Sequence, residues 1–171
     1  MVIETARLVL RPLQVEDVDD LVALQTTPEV TRFLSFLDRE QALARLEEEQ
    51  RDWLEFGYGL MAILDREGGG FIGRTGLKYW AEFDETEVGW ALDPRYWGRG
   101  LATEAGRACA DWGFRNLKVP YLTSMIRPDN DRSVAVARRL GFSPLRPDVF
   151  RGDEVIVHAL TRGAWEASAQ S

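Results

Sequence analysis

Cysteine and histidine are nearly missing: the 171 residues hold one of each. Cys109 alone can form neither an internal disulfide nor a cysteine-based zinc site, and His158 alone excludes a histidine cluster, so no metal is expected. No uncharged apolar run nears the roughly 18 residues that span a bilayer. The opening stretch MVIETARLVLRP carries acids and arginines where a signal peptide has its apolar core, which predicts a cytoplasmic chain with no membrane partner. Basic charge is in deficit, 21 Lys and Arg against 28 Asp and Glu, leaving a formal net charge of −7. That disfavours sequence-independent binding to nucleic-acid phosphates and suits a cationic small molecule or peptide amine better. Repeats, low-complexity tracts and linkers are also absent. The length fits one domain, 1–171, and with 45 % hydrophobic and 29 % charged residues the chain has the balance of a folded protein, not a disordered one.

What is present reads as a mixture of strands and helices. RLVLRPL, Arg7 to Leu13, alternates as a strand, and Val18, Leu21, Val22 and Gln25 then share one side of a short helix. Asp38 and Gln41 form a capping-box pattern that opens a helix with an apolar face of Ala42, Leu43, Leu46, Trp53 and Leu54, ending near Gly57. YGLMAIL and GFIGRTGLKYW predict two strands around the Gly68-Gly69-Gly70 turn, and ETEVGWAL predicts another. Leu101, Ala105, Ala108, Cys109 and Trp112 mark the inner face of the next helix, and YLTSMI is a strand, which makes a βαβ crossover. A helix capped by Asn130 or Asp131 and closed by Gly141 follows, then a hairpin around Gly152-Asp153. The expected fold class is mixed α/β, a mostly antiparallel sheet with one parallel crossover, flanked by helices.

The crossover carries the chemistry. In PRYWGRGLATEAGRACADWGF, Gly98, Gly100 and Ala102 bring bare backbone to a helix start, where unpaired N–H groups and the positive end of the helix dipole attract a phosphate. A P-loop is excluded, because no Gly-Lys-Ser or Gly-Lys-Thr follows. The dinucleotide fingerprint fails as well, since Ala102-Thr103 stands where its third glycine belongs and no acid ends the next strand. A nucleotide-binding regulator is therefore the weaker reading.

Three blocks in order resemble the GNAT superfamily of acyl-CoA-dependent N-acyltransferases, nearest its ribosomal-protein (Rim-type) branch. They are TARLVLRPLQVEDVDDLVALQTTPEVTRFL, EVGWALDPRYWGRGLATEA and NDRSVAVARRLGF, and together they extend over nearly the whole chain. Within the second, Trp97-Gly98-Arg99-Gly100-Leu101-Ala102 matches the Gln/Arg-x-x-Gly-x-Gly/Ala signature, with tryptophan in place of the customary polar first residue. The resemblance implies a GNAT-like fold whose cofactor cleft lies at the parallel crossover, acetyl-CoA as co-substrate, and a primary amine as acceptor. It also makes a homodimer the expected assembly. The diphosphate would rest on the amides of Gly98, Arg99, Gly100, Leu101, Ala102 and Thr103, beside Trp97.

Direct attack of an amine on a thioester needs a base, an oxyanion donor, a proton for the thiolate and alignment. Glu87 stands where Rim-type enzymes keep a glutamate before Val-Gly-aromatic and is the expected base, acting directly or through a water; Glu85 shares its face, with Glu82 and Asp84 nearby. The resemblance implies a backbone N–H near Leu92 for the oxyanion, Asn130 on the pantetheine arm and Ser133 toward the sulfur, because the usual tyrosine position is Ala137. Helix capping is the competing role for Asn130 and Ser133. Arg138 or Arg139 is a candidate for the nucleotide phosphates, and Tyr79, Trp80 and Phe83 for the acceptor side. Cys109 and His158 are expected to be structural. The tryptophan and the missing tyrosine would equally suit a catalytically silent acyl-CoA-binding module.

Overall fold

The protein was analysed as a computed structural model, which describes residues 1–168. In chain order the elements are β1 (Ile3–Glu4), β2 (Leu8–Pro12), α1 (Val18–Thr26), α2 (Pro28–Thr31), α3 (Arg39–Phe56), β3 (Leu60–Asp65), β4 (Phe71–Trp80) and β5 (Glu85–Leu92). The second half contains α4 (Leu101–Asn116), β6 (Tyr121–Ile126), α5 (Asp131–Leu140), β7 (Ser143–Phe150), β8 (Asp153–Thr161) and α6 (Arg162–Ser168). All eight strands join in one sheet, ordered β1-β2-β3-β4-β5-β6-β8-β7. Every neighbouring pair is antiparallel except β5 and β6, which α4 connects as the crossover requires.

Strand alternation sends side chains to two layers. On one face Leu60 and Ala62 of β3 pack against Leu21, Ala42 and Leu46 of α1 and α3. On the other, Leu10, Ile63, Leu77 and Val88 pack against Ala105, Cys109 and Phe114 of α4. Gly113 lets α4 settle onto the sheet, since a Cβ there would stand 3.1 Å from Leu122.

The capping box of α3 forms as expected, with Asp38 accepting from the Gln41 amide at 2.8 Å and Gln41 accepting from the Asp38 amide at 3.0 Å. Gly57 closes the helix at φ 74°. The predicted apolar face needs one correction: Leu54 is 89 % exposed and Glu49 is fully buried. At about 100° per residue, Leu54 lies roughly 120° around the helix from Ala42, while Glu49 lies within about 20° of it. The acid is accommodated because its neighbours answer it. Glu49 Oε1 meets Lys78 Nζ at 3.2 Å and Arg45 Nε at 3.1 Å, and Oε2 accepts from the Leu60 amide at 3.4 Å. Lys78 is shared with Asp52.

This rotation of the buried face separates two leucines of one helix. Leu46→Ala should cost about 2–5 kcal/mol of unfolding free energy in denaturant titration, whereas Leu54→Ala should stay within about 0.5 kcal/mol of the parent.

Candidate functional site

The site begins where the sheet fails to continue. β5 and β6 meet at a single pair, Glu87 opposite Thr123, with the Thr123 hydroxyl donating to the Thr86 carbonyl at 3.4 Å. Beyond that pair the strands diverge. The Asp93 amide donates to the Ile72 carbonyl at 2.9 Å, so odd-numbered amides of this segment face β4. By alternation the amides of Trp90 and Leu92 face the gap. The Leu92 N–H thus points where an oxyanion donor is expected. The gap opens into a cleft of about 1200 Å³ that runs from the start of α4 to the walls made by α1, α3 and the segment between them.

A glycine-rich loop forms one end. Asp93 accepts from the Arg95 amide at 2.9 Å and caps a 3-10 turn over Pro94–Tyr96. Gly98 and Gly100 then adopt φ values of 75° and 76°, left-handed conformations that only glycine takes without strain. The first bond of α4 runs from the Glu104 amide to the Gly100 carbonyl at 3.0 Å. The amides of Leu101, Ala102 and Thr103 therefore precede the helical ladder, and Gly100 has no side chain to cap them. The Thr103 hydroxyl is buried with no partner among the described residues. Free amides and an orphan hydroxyl at the positive end of a 16-residue helix fit a diphosphate.

Trp97 has a physical role in place of the usual polar residue. Its indole N–H donates to the Leu92 carbonyl at 2.7 Å, tying the loop to the end of β5. The Arg132 guanidinium lies 4.2 Å from its ring centroid, which puts a cation at the cleft wall. Arg132 was not singled out in the sequence; its one signal was its place two residues after Asn130, at the helix start facing the glycine loop. Arg99 keeps its side chain outside the cleft: its guanidinium lies 5.6 Å from the Tyr96 centroid, and its carbonyl accepts from Arg7 Nη1 at 2.9 Å. Arg7 also pairs with Glu104 at 2.6 Å, clamping the outer side of the loop.

Glu87 bridges the two diverging strands. Its Oε1 accepts from the Met125 amide of β6 at 3.1 Å, and its Oε2 accepts from the Trp80 indole at 2.7 Å. The carboxylate replaces the backbone acceptor that a continued ladder would have given Met125. Loss of water raises the Glu87 carboxyl above the ordinary range, and the two donated hydrogen bonds and the nearby Arg74 and Arg151 only partly oppose that rise. Such a shift brings a carboxylate closer to the pKa a base needs at neutral pH. Glu85 is engaged elsewhere, with Arg146 at 2.8 and 3.1 Å and the Tyr121 hydroxyl at 3.1 Å.

Asn130 is the N-cap of α5, accepting from the Ser133 amide at 3.2 Å. The cap uses the amide oxygen and leaves the Asn130 NH₂ to the cleft, which Ser133 also lines. Of the remaining candidates, Trp80 and Arg139 face the cleft, whereas Tyr79, Phe83 and Arg138 do not. Tyr79 lies on the opposite sheet face by strand alternation and donates to Asp84 at 2.8 Å. Burial pushes the Cys109 thiol up to about 12, which suits a core residue and not a nucleophile. His158 is buried, with Nδ1 3.0 Å from the Ile156 carbonyl.

Residues 7–143 match the family described as Acetyltransferase (GNAT) domain. An acetyltransferase structure from Agrobacterium tumefaciens is 32 % identical, covers 95 % of each chain and superposes with a TM-score of 0.82. The spermidine N(1)-acetyltransferase of Escherichia coli (strain K12) is 27 % identical over 138 residues, 78 % of this chain and 72 % of that one. The fold is shared with RimL, a ribosomal L7/L12 α-N-protein acetyltransferase in complex with coenzyme A, at 19 % identity, 96 and 99 % coverage and a TM-score of 0.80.

The loop geometry yields one direct test. A valine at Gly100 must either adopt left-handed backbone, at a cost of roughly 1–2 kcal/mol, or move the helix start. Gly100→Val should weaken acetyl-CoA binding by about tenfold or more in calorimetric titration.

Proposed function

The chain belongs to the GNAT acetyltransferase family, and from that membership we propose that it transfers an acetyl group from acetyl-CoA to a primary amine of a small molecule or protein N-terminus. Transfer occurs by direct attack in a ternary complex. The observation that carries this reading is the Glu87 carboxylate, held in the cleft beside the point where β5 and β6 part. Acetyl-CoA supplies the activated thioester when bound. The residues of this chain do the rest.

The loop amides from Gly98 to Thr103, those of Leu101, Ala102 and Thr103 lying ahead of the helical ladder, take the diphosphate together with the Thr103 hydroxyl, and Arg132 and Arg139 add charge at the wall. The Asn130 NH₂ bonds the pantetheine arm. Glu87 accepts the proton that the acceptor ammonium must lose, directly or through a water, which frees the nitrogen lone pair to attack the carbonyl carbon. The Leu92 amide donates to the carbonyl oxygen as it gains charge. As the C–S bond breaks, Ser133 supplies a proton to the departing sulfur and regains one from solvent. A co-substrate made and kept inside cells puts the reaction in the cytoplasm. Residues 1–171 work as one catalytic domain, and a homodimer is its proposed assembly.

Calorimetric titration with acetyl-CoA, followed by thiol release against a panel of amines, tests the proposal. Tight binding with amine-dependent release is expected; binding without release from any amine would leave a silent acyl-CoA-binding module instead. The pH profile tests the base. In the parent, kcat should rise with pH through a value above the ordinary carboxylate range, because the shifted Glu87 must lose its proton before it can accept one. Glu87→Gln should lower kcat by roughly 10²- to 10⁴-fold and abolish that limb.

A further inference from the structure

The acceptor end of the cleft holds a cation with no ion-pair partner among the described residues. Arg74 of β4 lines the cleft, and its guanidinium has no hydrogen bond or ion pair among the described residues. Its electrostatic neighbours are Arg45, Glu49, Glu87 and Arg151. Neither acid forms an ion pair with it. Glu49 is held by Lys78, Arg45 and the Leu60 amide, and Glu87 by Trp80 and the Met125 amide. A guanidinium that lines a cleft offers five N–H donors, and none of the Arg74 ones is taken up among the described residues.

Two further features share this end. Arg151 sits at the tip of the β7–β8 hairpin at φ 52°, an uncommon backbone conformation for a residue other than glycine, asparagine or aspartate. Its guanidinium lies over the Trp80 and Phe150 rings, 5.3 and 5.2 Å from their centroids, and it has no ion pair with a carboxylate among the described residues. Across the cleft, Gln25 of α1 is 6 % exposed and its amide oxygen has no donor among the described residues. Cationic side chains outnumber acids along the cleft as a whole, the reverse of the chain's net charge of −7. The preference for a cationic acceptor expected from that net charge does not hold locally.

We propose that the acceptor amine carries a carboxylate, taken by Arg74 with Arg151 at the hairpin tip, so that the simplest acceptor is an α-amino acid and not a polyamine. The inference rests on the transferase reading for the role of Glu87. Register supports the geometry. Arg74 pairs with Ala91 and Lys78 with Glu87, so Arg74 and Glu87 share a sheet face, four residues apart along the strands. That is roughly 13 Å at the backbone, a span that two long side chains shorten to that of a small zwitterion. Between them lies Gly89, above which a Cβ would meet nothing within 4 Å. Ammonium faces Glu87 and carboxylate faces Arg74. Val30, Phe33 and Leu37 give the cleft an apolar wall for a side chain.

The probes are L-phenylalanine and phenethylamine, which differ by the carboxylate, with spermidine as the polycation. Thiol release gives kcat/KM for each, and calorimetry on the protein saturated with coenzyme A gives binding without turnover. The parent should favour phenylalanine over phenethylamine at least tenfold in both measurements. Arg74→Met should reduce that ratio at least tenfold, and Arg74→Lys should restore part of it. The Tm of Arg74→Met should stay close to the parent's, since the guanidinium has no hydrogen bond or ion pair to lose among the described residues, and this separates lost recognition from lost folding. Equal handling of the two probes, or a preference for phenethylamine or spermidine, would overturn the carboxylate site and leave the transferase standing. Phenylalanine binding that depends on Arg74, without thiol release from any amine, would uphold the site and overturn the transferase.

Discussion

A parallel pair that stops after one bridge is the constraint on which the rest of this molecule depends. Elsewhere the sheet is continuous, and its strands satisfy one another. Between β5 and β6 the ladder ends at Glu87 and Thr123, so backbone groups that would be paired in an ordinary sheet face an opening. Such groups need partners. Some come from side chains: the Glu87 carboxylate takes the Met125 amide, and the Trp97 indole takes the Leu92 carbonyl. The amides of Trp90 and Leu92 are left to face whatever enters. The same residues that hold the opening apart therefore line it, and structure and site cannot be separated there.

The charges follow a similar logic. Glu49, fully buried in α3, is neutralised by Lys78 and Arg45, and the group is closed by Asp52. That network fixes α3 to β4, and each of its cations has a carboxylate partner. Arg74, four residues along β4 from Lys78 on the same face, has only donors and no recipient among the described residues. The contrast between Glu49 and Arg74 separates a structural cation set from one that awaits a ligand.

Most of the fold was legible because its signals are local. The capping box at Asp38, the glycines at 57 and 141 and the alternation in YLTSMI each specify their element without help from distant residues. Leu54 misled because it is apolar, while Glu49 belongs to the buried stripe only by virtue of Lys78, which lies 29 positions away. The glycine loop could be read for the same reason as the caps: left-handed backbone before a helix needs glycine. The side chains that converge from separate elements could not. Arg132 on Trp97, Arg7 on the Arg99 carbonyl and Trp80 on Glu87 are tertiary facts, and no periodicity encodes them. Arg74 was invisible for a sharper reason, since its distinction is the partner it lacks.

The Arg7 clamp has a reach beyond the loop it grips. Arg7 and Thr5 both hold Glu104 in the first turn of α4, and the Thr5 amide in turn bonds the Leu8 carbonyl. The β1–β2 hairpin is thus mechanically continuous with the phosphate end of the cleft. Ordering of that loop by a bound anion is then felt nearly a hundred residues away in sequence, as slower amide hydrogen exchange at the amino-terminal edge of the sheet.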